Sequence, residues 1–216
     1  MVAEQVESRL GNAGARTRSS AATCVLVGAA VGLAWGAAFR AYMAEIAGGA
    51  SRIEWYGTFA VIIGAGVITG GLLGLAEHFR RTGGRRHWRW LALSPLSFAV
   101  LTLTMPGAAV ALATQGLGGG AIAVPLFGIA GGFAVSGTGP LWGRIPAGVV
   151  ALVGLAGLIA SVPLAGGIRL TLDQPRGLWV ATLAASCLVV LCLANSIPFR
   201  RVEQPRDAAR ASARRS

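Results

Sequence analysis

Five stretches without one charged side chain decide what this chain can fold into. They are Ser19–Phe39, Trp55–Ala76, Trp90–Gly143, Ile145–Ile168 and Gly177–Phe199. A helix needs about 20 mostly apolar residues to cross about 30 Å of hydrocarbon, at about 1.5 Å per residue. Four of the runs suit one crossing each. Trp90–Gly143 holds 54 residues and has to fold back once. Its expected turn is Gln115–Gly120 (QGLGGG), which is glycine-rich and weakly apolar. Lipid excludes open sheet edges, and a β-barrel would alternate in polarity with a period of two. These runs are continuously apolar. The reading is an all-α integral membrane protein, a bundle of six transmembrane helices within residues 19–200. The spans are expected at about 21–44, 55–79, 90–113, 121–138, 145–165 and 177–199. Residues 1–18 and 201–216 are small, polar and charged, and read as cytoplasmic tails without a core.

Charge sets the expected orientation. Only 12% of the residues are charged, where a soluble domain carries about 25%. The chain has no lysine, so all 19 basic residues are arginines. Fifteen of them fall in the two tails and the even loops: Arg9, Arg16 and Arg18; Arg80, Arg81, Arg85, Arg86 and Arg89; Arg144; and Arg200, Arg201, Arg206, Arg210, Arg214 and Arg215. The opposite loops hold Arg52, Arg169 and Arg176. The positive-inside rule then puts both termini in the cytoplasm of a bacterial plasma membrane. The first run is long enough to span and reads as an uncleaved signal-anchor. The net charge of +11 therefore reports topology, and nucleic acid is not an expected partner. The arginine–tryptophan loop RRTGGRRHWRW (Arg80–Trp90) fits a membrane interface better than RNA.

Two runs of glycine recur at every fourth position: Gly28, Gly32 and Gly36 in span 1, and Gly66, Gly70 and Gly74 in span 2. Small residues four apart make a flat face on which two backbones approach closely. A short loop joins the two spans, so they are expected as antiparallel neighbours packed on these faces. Arg40 is the next position in the first series. Each step of four drifts by about 40°, so Arg40 lies beside the glycine face and points toward a neighbouring helix. Counting from Ala21 puts it about 28 Å along, near the outer boundary. An unpaired guanidinium near lipid is unfavourable. Arg40 is therefore expected to form an outer polar cluster, pairing with Glu54 or Glu45. The other reading is an arginine that snorkels to headgroups beside Trp55 and Tyr56.

Other features carry less. Pro106 kinks span 3, either as a bend that improves packing, the leading reading, or as a possible hinge. Span 4 looks loose, with Pro125, Gly128, Gly131 and Gly132, and could be broken or re-entrant. Glu77 can reach Arg80 or Arg81 at helical spacing and reads as an interfacial ion pair. Cys24, Cys187 and Cys192 fall inside spans without CxxC spacing and read as packing residues. Neither a catalytic set, a metal site nor a cofactor loop is expected.

The series Trp35, Gly36, Arg40, Met43, followed by Trp55, Gly57 and Thr58 at the start of the next span, forms WGxxxRxxM … WxGT. This pattern resembles a group of small multi-pass membrane proteins of actinobacteria, over roughly residues 30–75. The resemblance implies a membrane location and no particular activity. The leading expectation is a non-catalytic accessory or partner subunit whose partners are the bilayer, other membrane proteins or a second copy. The alternative is a small-solute transporter or channel. A third reading is a membrane-embedded enzyme acting on lipid, with Arg40 holding a phosphate or carboxylate.

Overall fold

A computed structural model describes residues 20–105, 107 and 119–202. Among the described residues there are six α-helices and no strand. Helix α1 (Ala21–Ala47) begins where Ser20 accepts a hydrogen bond from the Thr23 amide at 3.1 Å. It stops at Gly48, whose φ of +55° breaks the helical run. The second span starts as a π-helix over Trp55–Ile63 and continues as α2, Gly64–Arg81. The third starts as a 3-10 helix, Trp88–Leu96, and becomes α3, Ser97–Leu103. Then follow α4 (Gly119–Val135), α5 (Leu141–Gly166) and α6 (Pro175–Asn195).

Four helical segments are long and apolar enough to cross a membrane: Ala21–Ala50, Trp55–Arg81, Leu141–Leu170 and Pro175–Phe199. Trp88–Leu103 and Gly120–Val135 are shorter. The shortfall in the third segment is smaller than its residue count suggests. A 3-10 helix rises about 2.0 Å per residue against about 1.5 Å for an α-helix, so Trp88–Leu103 extends about 28 Å. Pro95 sits inside the 3-10 part, where it lacks the amide hydrogen an α-helix would use. Pro106, the possible hinge, lies outside the described residues, as do residues 115–118 of the expected turn and the chain ends 1–19 and 203–216.

Helices α1 and α2 make the most extensive contact in the bundle, and α4 packs on both α5 and α6. Helix α6 closes the bundle against α1. Between them lies a core of Phe39, Tyr42, Phe98, Val162, Val180 and Leu191. Trp35 stacks on Phe39 at 5.2 Å, and Phe98 meets both rings edge-on. Polar side chains join helices across this core. The Trp35 indole N–H donates to the Cys187 carbonyl at 2.7 Å, and Tyr42 bonds Ser161 at 2.7 Å. Thr69 bonds Ser97 at 2.9 Å.

Span 4 is one continuous helix, α4, despite Pro125. The glycines that suggested looseness are its packing positions. A Cβ on Gly128 would lie 2.7 Å from Leu191 Cγ, and one on Gly132 would lie 2.7 Å from the Asn195 carbonyl carbon. Helix α6 occupies the room those missing side chains leave. At the end of α4, Arg144 donates to the Ala134 carbonyl at 3.0 and 2.9 Å, which satisfies a terminal carbonyl.

Candidate functional site

The two glycine runs face each other. A Cβ on Gly70 would lie 2.9 Å from Gly32 Cα, and a Cβ on Gly66 would lie 3.3 Å from Gly36 Cα. Gly28 abuts Gly70 and Gly74 in the same way, and beyond Gly28 the Gly74 backbone meets Cys24 and Val25. The contact at 2.9 Å is shorter than real Cβ atoms show and the one at 3.3 Å is tighter than most, so the seam relies on these residues being glycines. It fixes how α1 and α2 sit relative to one another, and thereby where Arg40 is held.

Arg40 lies about two turns before the end of α1. Its guanidinium reaches across to the α1–α2 loop and the start of the π-helix. Nε donates to Thr58 Oγ1 at 3.4 Å. Nη1 and Nη2 each donate to Ser51 Oγ at 3.2 Å. Nη2 also donates to the Arg52 carbonyl at 2.5 Å. Thr58 is 6% exposed, and its Oγ1 additionally accepts from the Glu54 amide at 3.3 Å.

This corrects the expected pairing. Arg40 bonds two hydroxyls and a carbonyl, and neither Glu54 nor Glu45 is its partner. Glu45 instead accepts from Arg176, with Nη2 at 2.9 Å and Nε at 3.0 Å from Oε2. The reason is the course of the loop. After Gly48 the chain folds back so that Ser51 and the Arg52 carbonyl come under the guanidinium. At Glu54 it is the backbone amide that faces Thr58. Glu45 lies beyond Arg40 toward the helix end, where the first turn of α6 delivers Arg176. The α5–α6 loop lays Arg169 on the end of α1: a Cβ on Gly48 would lie 2.8 Å from Arg169 Cζ. A cation there complements the helix dipole.

Sequence reasoning found Arg40 and missed Ser51 and the Arg52 carbonyl. Thr58 stood in the WxGT pattern without a role. The available signal was two hydroxyl residues flanking the start of span 2, each within a loop's length of Arg40.

At the opposite end of the bundle, Glu77 binds two arginines. Its Oε2 is 2.6 Å from Arg80 Nε, and its Oε1 is 2.8 Å from Arg80 Nη2 and 2.6 Å from Arg81 Nε. A groove of about 310 Å³ opens nearby, lined by Val27, Gly28, Val31, Leu73 and Gly74 with Glu77 and Arg81 at its rim. A second groove, of about 330 Å³, runs between α4, α5 and α6 and is lined by Ala134, Leu152, Leu155, Leu188 and Val189. Asn195 is fully buried, and its side-chain amide has no hydrogen-bond partner among the described residues. Of the loop tryptophans, Trp90 is exposed but Trp88 is buried, beside Gly84.

Comparison of the chain with family models, with curated proteins and with solved structures finds no match.

Proposed function

We propose that this chain is an integral membrane protein with all six helices in the bilayer and both termini in the cytoplasm. Within the membrane it acts as a non-catalytic partner subunit, binding another membrane protein or a second copy through helix faces rather than through loops. The observation that carries this reading is α5. The most apolar 18-residue window of Leu141–Leu170 has a mean hydropathy of 2.3, yet only 11% of it is buried in the protein. Leu152, Val153, Leu164 and Ile168 are all exposed. Water disfavours such a surface by about 25 cal/mol per Å². Lipid or a partner helix removes it from water.

Two further features support insertion. Exposed tryptophans gather at both ends of the bundle: Trp90 and Trp142 at the end near Ser20, Trp55 and Trp179 at the other. Amphipathic rings favour the two headgroup layers. Arg80, Arg81, Arg85, Arg86, Arg89, Arg144, Arg200 and Arg201 cluster at the first of these ends, which the positive-inside rule assigns to the cytoplasm. The interior polar groups of Trp35, Tyr42, Ser161, Thr69 and Ser97 are tied to one another or to backbone. Such pairing suits a packed scaffold. The transporter reading draws on one observation, the buried Asn195 amide that has no partner among the described residues.

Insertion and partnership are tested separately. Alkaline extraction should leave the chain in the membrane pellet, and release into the supernatant would overturn insertion. A photo-crosslinking side chain at Val153 should then give one discrete protein adduct in the native membrane. Only lipid adducts at Val153, with the chain firmly inserted, would overturn the partner reading.

A further inference from the structure

The geometry points to an oxyanion-binding site at Arg40, Ser51 and Thr58, one that takes a phosphate-bearing group. The inference goes beyond the partner reading and does not depend on it.

The argument is a count of donors and acceptors. A guanidinium carries five N–H donors and no acceptor. Arg40 uses one on Thr58, two on Ser51 and one on the Arg52 carbonyl, four in all. One Nη1 hydrogen is left. Ser51 Oγ accepts from both Nη1 and Nη2. Thr58 Oγ1 accepts from Arg40 Nε and from the Glu54 amide. Each of these contacts uses a hydroxyl oxygen, and neither hydroxyl hydrogen has an acceptor among the described residues. Three uncommitted donors therefore belong to this one cluster: Nη1–H, Ser51 O–H and Thr58 O–H.

Charge points the same way. Arg40 is half-buried, and its contacts among the described residues are all neutral. Of the two expected counter-ions, Glu45 is held by Arg176, and Glu54 meets the site through its backbone amide on Thr58. A second guanidinium, that of Arg169, lies at the end of the same helix on Gly48. A group that only accepts hydrogen bonds and carries negative charge satisfies both the donor excess and the charge excess. Phosphate fits, because it carries negative charge and its several oxygens can accept from the remaining Nη1–H and from the two hydroxyls. The glycine seam and the buried Thr58 hold the site in shape before any ligand arrives.

The phosphate could belong to a lipid headgroup or be free in solution, and the test separates them. Purified chain in detergent is titrated with phosphatidylglycerol and, separately, with inorganic phosphate, and binding is read by native mass spectrometry and calorimetry. Ser51→Ala leaves Thr58 and the Arg52 carbonyl to hold Arg40, so the fold is retained. It should weaken binding about tenfold, the loss expected for one hydrogen bond to a charged group. Arg40→Lys, which keeps the charge but loses the fork, should weaken it similarly, whereas Thr58→Ser should bind as the parent does. An effect seen with phosphatidylglycerol alone makes the ligand a lipid headgroup, and one seen with inorganic phosphate makes it a free anion. If neither probe binds, or both bind Ser51→Ala and Arg40→Lys as tightly as the parent, the site is overturned. Arg40 is then only a clasp on the α1–α2 loop.

Discussion

The backbones of Gly32 and Gly70 touch. A Cβ added to Gly32 would lie 3.1 Å from Gly70 Cα, and one added to Gly70 would lie 2.9 Å from Gly32 Cα. The obstructing atoms are main chain, which cannot rotate away. Gly32→Leu should therefore push α1 off α2 and destabilise the protein by about 3 kcal/mol, the upper range for overpacking. Unfolding by titration with a denaturing detergent measures this. A change within about 0.5 kcal/mol, the usual range for an inconsequential surface site, would show that the seam is not closed.

Gly157 makes the opposite case. It lies on the exposed side of α5, and a Cβ there would meet nothing within 4 Å. Gly157→Ala should leave stability unchanged or raise it by up to about 1 kcal/mol through helix propensity. The comparison with Gly32 uses the same residue type in two apolar helices. A clear loss of stability at Gly157 in the same detergent titration would mean that a second copy or a co-purified helix packs on it.

The Tyr42–Ser161 bond joins α1 to α5 at 2.7 Å. Interhelical hydrogen bonds of this kind contribute about 0.6 kcal/mol each in a membrane protein. A double-mutant cycle of Tyr42→Phe and Ser161→Ala should return a coupling energy of that size. Strict additivity of the two single changes would show that the hydroxyls do not interact in the folded protein.

Much of the helical pattern was legible because long apolar helices announce themselves by continuous lack of charge. The run Ile145–Ile168 and helix α5, Leu141–Gly166, nearly coincide. The π-helix at Trp55–Ile63 was not legible, since WYGTFAVII suits an α-helix equally well by apolar pattern. The 3-10 start of the third segment had a visible cause in Pro95, while attention to Pro106 drew the reading elsewhere. At Arg40, helical periodicity supplied the direction of the side chain toward the second helix, because that depends on α1 alone. Its partners depend on how the chain turns after Gly48. That turn is fixed in part by Arg169, which lies far away in sequence. The Glu45–Arg176 contact spans 131 positions, and no local pattern encodes it.

The two glutamate clusters should respond differently to neutralisation, although both are ion pairs at a helix end. Arg176 is 61% exposed and Glu45 33% exposed, so water and salt screen their attraction. Glu45→Gln should change stability by less than about 0.5 kcal/mol. Glu77 is 17% exposed and meets Arg80, itself 15% exposed, through both carboxylate oxygens. The same oxygen that bonds Arg80 Nη2 also bonds Arg81. Its neutralisation would leave two adjacent guanidinium groups without their shared counter-ion. Arg81 is half exposed, which discounts its share, so Glu77→Gln should destabilise by about 1–2 kcal/mol. Melting of the purified variants at low and at high salt checks both statements. The Glu77 loss should persist in high salt, because a less exposed pair is less screened. Equal losses for the two variants, vanishing together in salt, would make Glu77 an ordinary surface pair.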